Sequence, residues 1–349
     1  MKIFALTSHR SLFVVASMFF GLTTPSAWAE NTLVLSTYGL NNDLFKRVVY
    51  APFEAKCNCK IVLETGTAAT RMAKLEARKA NPNVDLVQTT DFSALEGSKK
   101  GLFETLDYRK LKNVAQIYDF GKDPLRNQQA VAYTVYSVGL VVRTDKPSNE
   151  IKSWKDLANP SLKGRVLLAN ITGNQGLAQL FMIDRAWGGM NTDMSTGLSK
   201  IHELKSNTVT YYAQTAQMTA LFAQDEAWVA PVGRFGWLNL QKTGKPLKWL
   251  VPQEGQVGMM NVMSIVKGSK QTELAHQLID FWLSKEVQTA LANELADSPI
   301  NRNATPKPEA AAALTWGKDQ INSLVFMNPE MVVREQPGWV NAWNKVIAK

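Results

Sequence analysis

The sequence predicts an α/β protein whose sheet contains parallel strands. Short β-branched runs bounded by turn residues alternate with segments of helical periodicity along most of the chain. The length of 349 residues allows about two domains. No repeat of about 20 to 50 residues is present, which argues against a solenoid or a propeller.

The first 29 residues have the pattern of a secretory signal peptide. Lys2 and Arg10 precede an apolar stretch over residues 11–22, and the small residues Ala27 and Ala29 form a cleavage motif. The apolar stretch is too short to span a bilayer, so we expect cleavage after Ala29 and a periplasmic protein. Cleavage lowers the formal net charge from +9 to +7, because residues 1–29 contain two basic and no acidic side chains.

The first predicted elements after the signal peptide alternate between strand and helix. Residues 32–39, 59–65 and 85–90 are β-branched runs typical of strands. Residues 69–79 place apolar side chains at helical spacing after Thr67, which can cap a helix. This rhythm predicts strands joined by helical crossovers.

The second half of the chain continues the alternation. We predict strands over residues 131–145, 164–170, 228–232 and 261–266. Ser153 opens a helix that Pro160 stops. The segment 271–296 carries an apolar stripe, which predicts one amphipathic helix or a pair of them.

Cys57 and Cys59 are the only cysteines in the chain. In an oxidising compartment two thiols this close either bond to each other or stay buried, and we favour a disulfide. Such a small ring restrains little of the unfolded chain, so it is a local clamp. Without a nearby histidine the two cysteines do not make a zinc site, and we expect no metal and no cofactor.

Motifs for catalysis are missing from the sequence. It contains no Gly-x-Ser-x-Gly elbow, no His-Glu-x-x-His, no phosphate loop and no dinucleotide fingerprint. His202 and His276 lie among charged neighbours on helix-like segments, so we expect both at the surface. Lysine and arginine are spread along the chain, which argues against a nucleic-acid partner. We expect no catalytic residue, although an exported enzyme stays open because carboxylates remote in sequence can meet in a fold.

Five segments in order resemble the family 1 extracellular solute-binding proteins of ATP-binding-cassette importers, within the spermidine/putrescine-binding-like branch. They are residues 36–38, 85–107, 153–170, 244–255 and 273–301. The resemblance implies a type II periplasmic-binding-protein fold: two α/β lobes, each a mixed sheet flanked by helices. The ligand would lie in the interlobe cleft and be buried by hinge closure. It also implies a monomer that delivers its solute to an inner-membrane permease and performs no chemistry.

The resemblance places the crossings between lobes near Gly139 and Gly258, with a third after Asn301. We therefore expect lobe 1 to comprise residues 30–139 and 260–302. Lobe 2 comprises residues 140–259 and 303–349.

In such a fold the ligand is lined by loops at the carboxyl ends of strands. The candidate ligand-binding residues are Thr37, Tyr38, Thr67, Asp91, Phe92, Asn170, Thr172, Gln175, Tyr212, Arg234, Met259 and Asn261. For each polar member, a turn or cap role is the alternative. The adjacent Tyr211 and Tyr212 also raise a ferric-ion site, whereas strand alternation favours one ring in the core and one at its rim.

The expected ligand follows from where the sequence departs from the polyamine binders. Met259 and Asn261 stand where the polyamine pattern has Trp and Asp, and residues 171–175 replace acidic ones. Asp91 remains to pair an amine, and Arg234 can pair a carboxylate or phosphonate through a bidentate fork. These residues favour a zwitterionic amino-acid derivative or phosphonate over putrescine or spermidine. Import of the ligand and presentation of the ligand to a sensor are both consistent with the sequence.

Overall fold

A mixed sheet of ten strands with helices packed against it forms the framework of the protein. The computed structural model describes residues 31–39 and 41–348, so the predicted signal peptide lies outside the described residues. None of the described helices is both long enough and apolar enough to cross a membrane.

The strands are β1 (Asn31–Thr37), β2 (Cys59–Thr65), β3 (Leu86–Thr90), β4 (Val131–Arg143), β5 (Val166–Ala169), β6 (Thr208–Tyr212), β7 (Val229–Gly233), β8 (Leu247–Leu250), β9 (Gln256–Ile265) and β10 (Leu324–Phe326). The α-helices are α1 (Asn42–Phe45), α2 (Ala51–Cys57), α3 (Ala68–Ala77), α4 (Asp91–Lys99), α5 (Asp119–Lys122), α6 (Asn174–Ala186), α7 (Ser195–Glu203), α8 (Thr215–Ala223), α9 (Trp237–Gln241), α10 (Thr272–Trp282), α11 (Lys285–Asn293), α12 (Pro308–Ala313), α13 (Lys318–Asn322) and α14 (Pro329–Ala348). A π-helical stretch (Lys46–Tyr50) joins α1 to α2, and 3-10 turns cover Tyr108–Lys110, Lys112–Gln116, Pro147–Glu150, Trp154–Ala158, Pro160–Leu162, Leu204–Ser206 and Arg234–Gly236.

The strand order explains why the sheet is mixed. Its main path runs β2-β1-β3-β9-β4-β7-β5-β6, with β10 paired to β9 and β8 paired to β4. The pairs β1/β2, β1/β3, β5/β6 and β5/β7 are parallel, whereas β4 and β9 pair antiparallel with each other and with their neighbours β7 and β3. Two long antiparallel strands therefore lie between two sets of parallel strands.

The apolar core is divided along β4 and β9. Val135 and Met260 belong to one large cluster of buried side chains, whereas Val138 and Met259 belong to a second. A smaller third cluster includes Val141. The boundary between the first two clusters thus crosses β4 and β9 near the middle of each strand.

Most of the predicted elements are present, with one change of type. The segment 271–296 forms two helices, α10 and α11, and the strand predicted at 59–65 coincides with β2. The helix predicted from Ser153 is a 3-10 turn over Trp154–Ala158, closed by a capping box in which Ser153 and Asp156 cap each other. Pro160 begins the next 3-10 turn.

Two further predictions concern single side chains. Cys57 and Cys59 form the predicted disulfide, which joins the end of α2 to the start of β2. The surface position expected for His276 is wrong: its Nδ1 lies 2.6 Å from the Thr272 carbonyl, and its Nε2 accepts a hydrogen bond from the Asp107 backbone N–H at 2.9 Å. The imidazole fastens α10 to the segment before the first 3-10 turn. His202 is exposed, as expected.

Candidate functional site

The candidate site begins where strand ends of the sheet lie side by side. Tyr38 follows β1 directly, and Asp91 follows β3 as the first residue of α4. Asn261 of β9 is the register partner of both Thr90 and Thr134. The Tyr38 hydroxyl lies 3.4 Å from the Asn261 side-chain oxygen. The strand register therefore brings these predicted residues to one place.

A buried guanidinium lies beside the Tyr38 ring. Arg71, one turn into α3, is only 1% exposed, and its Cζ lies 4.7 Å from the Tyr38 ring centre. Its Nη1 donates to the Gln88 carbonyl at 2.9 Å and the Ser36 hydroxyl at 3.3 Å, and its Nε donates to the Gly66 carbonyl at 3.0 Å. Its Nη2 is buried without a partner in the described part of the chain. Burial lowers the pKa of Arg71.

A buried carboxyl group, Asp91, lies near the same phenol. Its Oδ1 accepts a hydrogen bond from the Phe92 backbone N–H at 2.9 Å. Burial raises the pKa of Asp91 to about 7. Burial also raises the pKa of Tyr38 and Tyr136, and the nearby Asp91 carboxylate raises both further. Within residues 31–39 and 41–348, no lysine or arginine forms an ion pair with Asp91.

Aromatic side chains from later elements close the other side of this cluster. Tyr136 of β4 is the register partner of Met259 on β9. The Tyr136 ring packs edge-on against Phe235 with 5.5 Å between ring centres, and its hydroxyl lies 3.5 Å from the Asn174 amide nitrogen at the start of α6. Phe235 is 57% exposed. The site thus combines a guanidinium, a carboxyl group and an aromatic wall whose outer ring faces solvent.

Known proteins that are similar to this chain identify its family. A family model described as bacterial extracellular solute-binding protein matches residues 49–315. The chain belongs to this family. A relative from Salmonella typhimurium, provisionally named 2-aminoethylphosphonate-binding periplasmic protein, is 21% identical over 347 residues, which cover 94% of this chain and 96% of the relative. The spermidine/putrescine-binding periplasmic protein of Escherichia coli is 22% identical over 292 residues, 82% of each chain.

The solved structures give the same result for this solute-binding protein. The crystal structure of an ABC transporter from Clostridium perfringens superimposes with a TM-score of 0.84 at 29% identity, covering 90% of this chain and 99% of that one. The resemblance found in the sequence and the predicted periplasmic-binding-protein fold are confirmed. Proteins of this family bind solutes for ABC importers.

Three predicted residues are buried beside the cluster. Thr37 donates to the Gln88 side-chain oxygen at 2.6 Å, and Phe92 and Met259 pack in the second core cluster. Tyr38, Asp91 and Asn261 are therefore the predicted polar groups that lie together in this solute-binding protein.

Several other predicted residues are engaged in turns and caps. The Thr67 hydroxyl accepts from the Thr70 N–H at 3.2 Å and caps α3. The Asn170 side-chain oxygen accepts from the Thr172 N–H at 3.0 Å and from its hydroxyl at 2.8 Å. These bonds form local structure, which was the alternative weighed for each residue.

Gln175 and Tyr212 contact each other and the sheet. The Gln175 side-chain oxygen accepts from the Gly233 N–H at 2.6 Å and lies 2.9 Å from the Tyr212 hydroxyl. That hydroxyl is 2.6 Å from the Pro231 carbonyl, and Tyr212 is buried in the third core cluster. The polar atoms of this pair are directed at neighbouring strands.

The Arg234 guanidinium is partly engaged by the chain itself, and its Nη1 is buried without a partner among the described residues. Its Nε donates to the Ala313 carbonyl at 3.1 Å and its Nη2 to the Ala312 carbonyl, both at the end of α12. Its Cζ lies 4.4 Å from the Trp249 ring centre, and burial lowers its pKa to about 10. Two of the three guanidinium nitrogens thus bind the chain's own carbonyls, and binding of a ligand anion by Arg234 stays a prediction.

The tyrosine pair does not form a diphenolate site. The Tyr211 ring packs edge-on against Trp343 at 5.4 Å, at the rim of the second core cluster, whereas Tyr212 is buried in the third. The two rings therefore follow the strand alternation. Among residues 31–39 and 41–348, no group of three or more His, Cys, Asp or Glu side chains is placed to hold a metal ion.

Sequence reasoning missed Arg71 and Tyr136. Arg71 precedes Leu75 by four residues, so both lie on the same buried face of α3. The sequence feature that could have revealed Arg71 is the position of an arginine on the apolar face of a helix. Tyr136 lies two residues after Thr134 and shares its face of β4, but the apolar run around it resembles a fully buried strand.

Two surface grooves are lined by other residues. One, of about 790 Å³, is lined by Cys57, Lys110 and Phe281 among others. The other, of about 520 Å³, lies beside Pro147 and Gln253. Neither groove contains a predicted ligand-binding residue.

Proposed function

We propose that this protein captures a small zwitterion, an amino-acid derivative or an aminophosphonate, and delivers it to an ABC permease. The observation that carries the proposal is the buried Arg71 guanidinium beside Tyr38, which forms no ion pair among the described residues and whose Nη2 has no hydrogen-bond partner there. Leaving a buried charge unpaired costs several kcal/mol, roughly. An anionic ligand group beside Arg71 would remove that cost.

Asp91 supports the cationic half of the ligand. It is buried, lacks an ion-pair partner in the described residues and lies near Tyr38 and Tyr136. An ammonium group between this carboxylate and the tyrosine rings would gain a charge-assisted hydrogen bond and cation–π contacts. The name of the Salmonella relative describes a solute with one amine and one phosphonate, which agrees with this pairing.

The remaining parts of the proposal concern the whole molecule. We place the lobes at residues 30–139 with 260–302 and at 140–259 with 303–349, supported by the change of core cluster between Met259 and Met260. We also propose cleavage after Ala29, a periplasmic monomer, no nucleic-acid partner and no catalysis. Recovery of every bound compound unchanged after denaturation would support the last point, and turnover would favour an exported enzyme.

The first test is calorimetric titration of Arg71→Gln. We expect this variant to lose at least tenfold in affinity for 2-aminoethylphosphonate or γ-aminobutyrate, because a buried anion then has no charged donor. The matched control is Lys74→Gln, which removes an exposed positive charge from the same helix. Equal affinity of the Arg71 variant and the native protein would contradict the proposal, provided both melt at similar temperatures.

Polyamine binding is the second candidate function, because a further acid, Asp297, is present nearby and its pKa is raised to about 7 by burial. Two carboxylates can hold the two ends of putrescine. Binding of putrescine or spermidine with no response to the zwitterions would establish this alternative and reject the zwitterion.

A further inference from the structure

Asp297 forms the acidic end of a second group of buried side chains next to the candidate site. It lies in the turn after α11, where the Thr134 hydroxyl of β4 donates to the neighbouring Ser298 carbonyl at 2.8 Å. This bond fastens the turn to β4. The Asp297 Oδ2 is buried and has no partner in the described residues. The turn is thus fixed to β4, while Oδ2 of the carboxyl group stays without a partner among the described residues.

Aromatic rings surround this part of the molecule. Tyr50 and Tyr133 each pack against Trp282, with 6.0 Å and 5.5 Å between ring centres. Burial raises the pKa of both tyrosines, and the negative charge of Asp297 raises each further. The Tyr50 hydroxyl is buried and also lacks a partner in the described chain.

The two unpartnered oxygens in this aromatic cluster indicate a binding site for a polar ligand group. Each unsatisfied buried polar atom destabilises the empty protein, so such atoms are rare unless something binds them. A carboxylate and phenol oxygens are acceptors, and aromatic faces attract cations. An ammonium group matches this chemistry, whereas a second anion does not.

The Asp297 cluster is continuous with the site around Arg71. Ser298, the residue after Asp297, accepts a hydrogen bond from Thr134, and Thr134 is the register partner of Asn261. Thr90, the residue before Asp91, is paired with the same Asn261, whose side-chain oxygen lies 3.4 Å from the Tyr38 hydroxyl. The Tyr38 ring in turn packs against Arg71. One guanidinium and two carboxyl groups therefore share one connected site. A simple zwitterion leaves one carboxyl group unmatched, and a polyamine leaves the guanidinium unmatched.

We propose that the ligand is a diamino acid, whose single anionic group pairs with Arg71 and whose two ammonium groups pair with Asp91 and Asp297. This proposal rests on the zwitterion function above and adds a second amine to it. Compounds of this class include ornithine, lysine and 2,4-diaminobutyrate.

The test is calorimetric titration of the native protein and of Asp297→Asn. For the native protein we expect at least one of the three diamino acids to bind tenfold or more tighter than γ-aminobutyrate, 2-aminoethylphosphonate and putrescine. In Asp297→Asn that diamino acid should lose at least tenfold, while a monoamino zwitterion changes by less than about threefold. Glu294→Gln, which removes an exposed acid three residues away, is the matched control and should leave both affinities unchanged.

The outcomes separate this proposal from the function on which it rests. If monoamino zwitterions bind in an Arg71-dependent manner and diamino acids bind no tighter, the diamino-acid proposal is overturned and the zwitterion function stands. Preference for putrescine over every anion-bearing compound overturns both. Should Asp297→Asn fold poorly, Tyr50→Phe removes only the unpartnered hydroxyl and is expected to weaken the diamino acid by about threefold; no change in that variant counts against the subsite.

Discussion

Arg234 is a charged residue at a predicted ligand position whose hydrogen bonds are used by the chain itself. It holds the carbonyls of Ala312 and Ala313 while stacking on Trp249. We expect Arg234→Ala to lower the free energy of unfolding by about 1–3 kcal/mol, because the buried Ala313 carbonyl and the part-buried Ala312 carbonyl lose their donor. Its affinity for a zwitterion should change by less than about threefold. Urea denaturation and calorimetry check this; a large loss of affinity with unchanged unfolding would return Arg234 to the ligand site.

The difference between Arg234 and Arg71 shows what residue type alone cannot tell. Both side chains are buried, donate to backbone carbonyls and keep one nitrogen without a described partner. They differ in place: Arg71 lies beside the Tyr38 ring, whereas Arg234 lies beside the Trp249 ring. Asp91 was predictable because strand ends in an α/β sheet gather polar residues. Asn261 was predictable because the resemblance places it near a crossing between the lobes. Hydrogen-bond direction depends on tertiary packing, so sequence could not choose between the two arginines.

At the scale of elements, α3 positions the proposed anion-binding residue. Thr67 caps its first turn, and Arg71 follows one turn later. We expect Thr67→Ala to lower the free energy of unfolding by about 1 kcal/mol, since a free N–H of the helix loses its acceptor. Thr67→Ser keeps the acceptor oxygen and should match the native protein in urea denaturation. Equal loss in both variants would show that the methyl group, not the cap, is responsible.

Most individual strands and helices were predictable from the sequence. The predicted type of element was wrong where hydrogen bonds to distant residues engage the segment. The strand at β2 followed from β-branched residues, and the α10/α11 pair from its apolar stripe. The segment after Ser153 tightened into a 3-10 turn instead, because the Ser153 hydroxyl and the Trp154 N–H are bound by Glu254, about 100 residues away. The burial of His276 likewise depends on a distant partner, Asp107.

At the scale of the whole molecule, the resemblance to a family supplied what local patterns could not. Alternating strands and helices predict parallel pairing, but nothing local requires β4 and β9 to lie antiparallel between two parallel sets. The Asp297 cluster likewise depends on the topology. Tyr50 and Asp297 are separated by most of the chain, and the turn that carries Asp297 is fastened to β4 by the Thr134 hydroxyl. Local sequence patterns therefore do not predict this cluster.

Asp91 and Asp297 make the free energy of unfolding of the empty protein decrease as the pH rises. Burial raises the pKa of Asp91 and Asp297 to about 7 in the folded protein, whereas an unfolded Asp titrates near 3.9, roughly. Between these values the folded state binds more protons than the unfolded state, so their contribution to the free energy of unfolding falls as the pH rises from about 4 to about 7.

The double variant Asp91→Asn with Asp297→Asn should remove this contribution. We expect it to be more stable than the native protein at pH 8 by on the order of 2–4 kcal/mol per site at most, and to lose that advantage at pH 4. Urea denaturation of both proteins without ligand, at pH 4, 6 and 8, measures the difference; acids paired at the surface, such as Asp107, titrate alike in both and cancel. A stability difference independent of pH would show that neither acid is neutral in the empty site. Because ammonium ligands need the ionised carboxylates, the affinity for a diamino acid should rise over the interval in which the empty protein loses stability.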